Sequence, residues 1–177
     1  EDRNRVIGMI PGQLLTENLR EKISGKDGYF IPDGKYNKIC VFERHGRTGA
    51  AAAAPLKGFG IRGGAIATSV SHDAHNIIAA GDNDADILNA VACIREMQGG
   101  YALSAGGRIT GKLPLPVFGL MSMQPCTEVE ETLAGMLKEA ERLGVKKGID
   151  PFITLSFMAL TVIPSIRITD KGIVEVP

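Results

Sequence analysis

Residues 76–104, NIIAAGDNDADILNAVACIREMQGGYALS, carry the most definite structural pattern in the chain. Asn76 to Ala80 is a short, near-continuous apolar run of the kind that forms a strand buried on both faces. Gly81-Asp82-Asn83 is a turn, and beyond it apolar residues recur at Ile87, Leu88, Val91, Ile94 and Met97. That spacing predicts a helix over 84–98, with Asn83 or Asp84 as its N-cap and Gly99 just past its end. Tyr101 to Ser104 resumes as a strand, so 76–104 reads as a βαβ unit. If its two strands are parallel neighbours, the crossover is right-handed.

Upstream, Ala65 to Val70 is a further strand, preceded by the small-residue stretch RTGAAAAAPLKGFGIRGG, which reads as an irregular loop or a place of close backbone or ligand approach. Val6 to Ile10 and Lys38 to Phe42 are β-rich runs separated by turns around Gly25, Gly28, Pro32 and Gly34. Downstream, Arg108 to Leu113 reads as a strand, and Pro114 and Pro116 impose an extended exit. A second helix is expected over 127–143, opened by a Thr127/Glu130 capping box and carrying an apolar stripe through Val129, Leu133, Met136, Leu137 and Ala140 to Leu143. The apolar DPFITLSFMAL segment fits either a buried helix or a strand, and ITDKGIVEV reads as a hairpin turning at Asp170, Lys171 and Gly172. The pattern is that of one α+β domain over 1–177, a mixed β-sheet with two main helices packed on it. A layered α/β fold is the alternative if the βαβ unit repeats.

The chain has 177 residues, 44% hydrophobic and 23% charged, which suits a compact domain with a substantial core. Twenty basic and twenty acidic residues cancel, and no basic patch is interleaved with aromatics, so no nucleic-acid partner is expected. The apolar runs are too short to span a bilayer, so no membrane partner is expected and the protein reads as cytoplasmic. Cys40, Cys93 and Cys126 are odd in number and far apart, which argues for reduced, packed thiols. The sequence begins at Glu1 without a methionine and is expected to be part of something longer.

Chemistry-bearing residues concentrate in SHDAHN, 71–76. His72, Asp73 and His75 are residue types that ligate zinc, iron or manganese, with His45 as the remaining imidazole to complete such a site. On a regular strand, however, His72 would face away from Asp73 and His75. The same residues also fit an Asp–His acid–base pair, or turn and capping bonds by Ser71, Asp73 and Asn76. A second charged cluster, Glu43, Arg44, His45 and Arg47, lies at a strand end and could line a cleft. Residues 58–63 match G-x-G-x-x-G by letter but open no helix after a strand, and no P-loop or nucleophile elbow is present.

Six blocks, IPGQLLTENL at 10–19, VFERHGRTG at 41–49, KGFGIRGGAIATSVSHDAHNI at 57–77, GDND at 81–84, LPLPVFGLMS at 113–122 and DPFITLSFMALTVIPSIRITDKGIVEV at 150–176, together resemble the C-terminal domain of bacterial adenine deaminases. The resemblance implies a part of an amidohydrolase-superfamily enzyme that converts adenine and water to hypoxanthine and ammonia. It further implies an N-terminal metal-bearing barrel, holding iron or manganese, as a partner outside these residues. A barrel needs about 250 residues, so no cofactor is expected in this chain and no metal ligand is assigned to it. His72 and Asp73 are then candidate catalytic or substrate-facing groups. His75, Asn76, Arg44 and His45 are candidate substrate-binding residues. Adenine is the implied small-molecule substrate, and a homo-oligomer is the expected assembly. The competing expectations are a non-catalytic binding or assembly module and a small self-sufficient metallohydrolase built on His72, His75 and His45.

Overall fold

The computed structural model describes residues 3–177. In chain order its elements are β1 (Asn4–Met9), β2 (Thr16–Glu21), β3 (Gly25–Lys26), β4 (Tyr29–Phe30), β5 (Tyr36–Phe42), β6 (Ala51–Lys57), β7 (Gly64–Thr68) and β8 (Ile77–Gly81). Then come α1 (Asp84–Glu96), β9 (Gly100–Ala105), β10 (Arg108–Pro114), α2 (Cys126–Arg142), α3 (Pro151–Met158), β11 (Ser165–Thr169) and β12 (Gly172–Val176). Eight strands form one sheet in the order β10-β9-β7-β8-β5-β6-β1-β2. All neighbours are antiparallel except β1 and β6, so the sheet is mixed and the domain is α+β.

Strand periodicity sorts the central side chains onto two faces of different character. Ala65, Ala67, Ile77 and Ala79 point to one side, where α1 covers them with Ile87, Ala90, Val91 and Ile94. The alanines let the helix lie close. Ile39, Val41, Ile66, Ile78 and Leu103 point the other way into the larger core, with Met136 and Ala140 of α2, Phe152 and Leu155 of α3, and Ile166 and Ile168 of β11. Helices therefore cover both faces, and a third helix joins the two that the sequence predicts. Asp150 caps α3 by accepting from the backbone N–H of Phe152 (2.9 Å) and Ile153 (3.1 Å), with Pro151 preset for the first turn. Phe152 stacks on Tyr101 at 4.4 Å between ring centres. Among the described residues no helix is long and apolar enough to cross a membrane.

Three local expectations are corrected. The strands flanking α1 run parallel but are not neighbours, because β7 lies between β8 and β9 and pairs antiparallel with both. The alanine stretch 51–57 is a strand, not a loop. Its ladder with β5 and burial by its neighbours override the weak β-propensity of alanine. Pro55 is tolerated there because β1 pairs with β6 only at Leu56 and Lys57. The close approach expected of the glycines is between backbones: a Cβ on Gly144, after α2, would strike the carbonyl of Gly60. Finally, the Thr127/Glu130 capping box does not form, since α2 begins earlier, at Cys126 after Pro125, and has no side-chain cap bond. In α1, by contrast, Asn83 caps as expected, accepting from Asp86 N–H at 2.8 Å.

The C-terminal hairpin β11–β12 is clamped to the start of the chain by Arg167, whose side chain is fully buried. Its guanidinium donates to the carbonyls of Ile163 (2.8 Å), Leu14 (2.7 Å) and Pro164 (2.8 Å). Burial holds its pKa below the ordinary arginine value. Thr16 adds a reciprocal pair with Ile166, its hydroxyl donating to the carbonyl at 2.7 Å and accepting from the N–H at 3.1 Å. Replacing Arg167 with Met deprives the carbonyls of Ile163 and Leu14 of their donor, at about 1.5 kcal/mol each for bonds to a charged group, and leaves the Pro164 carbonyl only the longer bond from Thr16 N–H at 3.3 Å. R167M is expected to lower Tm by about 6–12 °C, the shift that about 3 kcal/mol produces in a domain of this size. Thermal denaturation checks this, and an unchanged Tm would refute the clamp.

Candidate functional site

The SHDAHN segment is the connection from β7 to β8, two central strands whose partners flank them on both sides. Within it the chain closes on itself. His75 N–H donates to the Ser71 carbonyl at 2.6 Å, and Ser71 N–H donates back to His75 Nδ1 at 3.4 Å. His75 takes a left-handed φ of 49° to do so. Its pKa is lowered, first by burial and then by neighbouring His72 and Arg44, so the neutral ring is favoured.

The ERHGRTG loop holds this turn from outside. Glu43 accepts from the backbone N–H groups of His45 (2.6 Å), Arg47 (3.1 Å), Thr48 (3.2 Å) and Gly49 (3.1 Å), folding the loop around its carboxylate. Those bonds hold its pKa below the ordinary value against opposing desolvation. The folded loop then presents Arg44, whose Nε donates to the His75 carbonyl (2.5 Å) and Nη2 to the Phe118 carbonyl (2.6 Å). His45 Nε2 meets the Ala74 carbonyl at 2.7 Å, donating in the tautomer that carries its proton there. Arg44 and His45 thus grip main-chain carbonyls of the turn and of the segment at Phe118, and Glu43 and Arg44 also line a separate cleft of about 330 Å³ with Phe42, Ile77, Val91 and Arg95.

What the turn leaves free opens on a cleft of about 210 Å³. His72, Asp73 and Asn76 line it together with Ala159, Thr161, Thr169 and Asp170. The His72 ring lies 5.5 Å from that of His75 and 5.4 Å from Phe157. Asn76 is only 6% exposed, yet its Oδ1 has no hydrogen-bond partner. Such a buried orphan acceptor costs about 1–3 kcal/mol. The structure therefore brings His72, Asp73 and Asn76 together and puts His75, Arg44 and His45 behind them. Thr161, Thr169 and Asp170 reach the cleft only through tertiary packing, and no local pattern in the sequence marks them.

Among the described residues no three His, Cys, Asp or Glu side chains come together in an arrangement able to hold a metal ion. The iron or manganese that the resemblance implies belongs to the barrel outside these residues. Cys40 is buried, its thiol pushed up to about 12 by desolvation, and Cys93 is buried and raised for the same reason. Both are packing residues of the layer between the sheet and α1.

The family described as adenine deaminase C-terminal domain matches residues 13–177. The adenine deaminase of Nitratidesulfovibrio vulgaris is 49% identical over 174 residues, which is 97% of this chain and 30% of that protein. The adenine deaminase of Desulfitobacterium hafniense is 47% identical over 170 residues, 96% of this chain and 30% of its own length. Adenine deaminase 2 of Carboxydothermus hydrogenoformans is 42% identical over 177 residues, 99% of this chain and 31% of its own. The chain spans about 30% of the length of the curated relatives it matches.

Because Glu43 has a depressed pKa in the folded state, its contribution is complete above the ordinary carboxylate value of about 4.3 and is lost as pH falls through the folded value. E43A is therefore expected to lower the amide hydrogen-exchange protection factors of His45, Thr48 and Gly49 at neutral pH, and acidification of the wild type through the lowered Glu43 value should do the same. Unchanged exchange at Thr48 and Gly49 in E43A would show that the carboxylate does not organise the loop.

Proposed function

The chain belongs to the adenine deaminase C-terminal domain family, and we propose that it is one domain of a longer enzyme that hydrolyses adenine, with the cleft beside SHDAHN forming part of the purine pocket wall. In that reaction water oxygen becomes bonded to C6, the C6–N6 bond breaks and ammonia departs. The barrel expected to precede this domain, with the manganese or iron that the resemblance implies, would supply the hydroxide. This chain alone would not turn over.

The observation that supports the reading is the division within one turn. Ser71 and His75 close it, Arg44 and His45 grip its carbonyls, and His72 and Asp73 are left facing a cleft. A positioned imidazole and carboxylate are suited to moving a proton at the departing amine. They sit on a rigid support, as such groups must to act in a fixed geometry.

A second role, in assembly, draws on the loop after β10. Phe118 is 79% exposed and Met123 is 78% exposed, and Met121 beside them is also open to solvent. Large apolar side chains grouped on one loop are characteristic of contact surfaces. Arg44 fixes this loop to the histidine turn through Phe118, so a barrel or second subunit docked on the loop would bear on the turn through Arg44.

In the full-length enzyme, H72A and D73A are each expected to lower kcat by about 10²- to 10⁴-fold, the range for a lost acid–base group, with Tm changed by no more than a few degrees. Steady-state kinetics with thermal denaturation of the same samples decides it. A loss of fold that matches the loss of turnover would mean that the turn is only structural.

A further inference from the structure

We propose that the cleft between the ERHGRTG loop and the C-terminal half of α1 binds the phosphate ester of a small apolar or aromatic molecule, with Arg44 and Arg95 holding the phosphate. This cleft, of about 330 Å³, shares none of its described lining residues with the one beside His72 and Asp73. The proposal is therefore independent of where adenine binds. The site lies on the α1 side of the sheet, since Phe42, Ile77 and Val91 line it and belong to the core layer under that helix. A second hollow of about 260 Å³ shares Arg44, Ile77 and Arg95 with it and extends the groove past Ile94 to Gln98.

The charges along this groove are not balanced by the protein itself. Glu43 is the lone carboxylate among the described lining residues, and both of its oxygens are taken up by four backbone N–H groups of its own loop. Arg95 enters no ion pair among the described residues. Arg44 spends Nε and Nη2 on the carbonyls of His75 and Phe118, while its Nη1 makes no hydrogen bond and is reached by solvent. A Cβ on Gly119 would strike this guanidinium, so the glycine is what lets it lie against the loop, held in place before any ligand arrives. Burial lowers the Arg44 pKa, a sign that its water shell is thinned, and a hydrogen bond formed in such surroundings is stronger than one at an open surface.

The class of ligand follows from charge and shape. A guanidinium is a rigid fork of N–H donors that matches the oxygens of phosphate and carboxylate. Two of them, beside a carboxylate that is already engaged, are matched better by a phosphate ester, at about −1.5 to −2 charges near neutral pH, than by a singly charged carboxylate. Phe42, Ile77 and Val91 offer apolar surface to the body that the phosphate is attached to, and the volume falls at the lower end of the range of about 300–1,000 Å³ usual for small-molecule pockets.

The test is isothermal titration of the full-length enzyme with phenyl phosphate, inorganic phosphate and benzoate at fixed ionic strength, for wild type, R95Q, G119A and R108Q. Arg95 is exposed on the last turn of α1, and Arg108 is an exposed arginine on β10, the edge strand of the sheet. Wild type should bind phenyl phosphate saturably and about tenfold more tightly than inorganic phosphate, the difference being the apolar area of the ring. R95Q should weaken phenyl phosphate about tenfold, as the loss of a charge-assisted hydrogen bond does, and R108Q should leave it within about twofold. G119A, which pushes the Arg44 guanidinium aside without removing it, should weaken it as well. Other binding sites of the enzyme are common to all four proteins and drop out of the comparison. Equal affinity in wild type and R95Q, or equal losses in R95Q and R108Q, would overturn the site. A loss in R95Q with none in G119A would overturn the part given to Arg44. Benzoate bound as tightly as phenyl phosphate, or phenyl phosphate no tighter than inorganic phosphate, would overturn the ligand class.

Discussion

Strand β7 pairs antiparallel with both β8 and β9, and the rest of the architecture is arranged around that double ladder. All five of its residues are buried, and the register fixes Thr68 opposite Ile78 on one side and Tyr101 on the other. A slip of one residue would exchange Ala65 and Ala67 for Ile66 on the face that α1 covers, putting bulk where the helix lies close and leaving the opposite core underfilled. The chain from Ser69 to Ile77 must therefore turn at a defined point. The histidine turn inherits its position from two of the most deeply buried strands, where local opening costs nearly as much as global unfolding.

The turn also needs lateral support, because a connection with a left-handed His75 and few apolar contacts does not hold one conformation by itself. Glu43 supplies that support indirectly. Its carboxylate gathers the loop amides, and the gathered loop aims Arg44 and His45 at three carbonyls on two neighbouring segments. The chain of causes runs from one anion satisfied by backbone N–H groups to the orientation of a cleft wall. Arg167 performs a related service at the opposite edge, where a buried cation grips carbonyls of the N- and C-terminal segments.

Much of this was legible in the residues and some was not, for identifiable reasons. Helix α1, its Asn83 cap, the strands on either side and the C-terminal hairpin follow local rules of period, capping and turn chemistry, and they fall where those rules put them. The Ala51–Lys57 strand is invisible to such rules, since alanine favours helix and only the ladder with β5 makes it a strand. The Thr127/Glu130 signature was a true pattern in a place where Pro125 had already begun the helix. That Asp170 of the hairpin turn would line the same cleft as Asp73 depends on how the hairpin docks on the sheet, a long-range outcome with no local signal.

The roles within SHDAHN could not be assigned by residue type either, and the geometry separates them. His75 and His72 look equivalent in sequence, yet Ser71 engages His75 Nδ1 and burial lowers the pKa of that ring, while His72 lines the cleft. His45, the imidazole that a three-histidine metal site would require, is directed at the Ala74 carbonyl. Two of the three rings are thus oriented by bonds to backbone groups of the turn, and among the described residues no three candidate ligands converge. The arrangement is better suited to giving a pocket polarity and proton-handling groups than to building a metal centre. A domain that frames a reaction whose hydroxide comes from elsewhere needs that kind of wall: stiff main chain behind, and a few unengaged polar side chains in front.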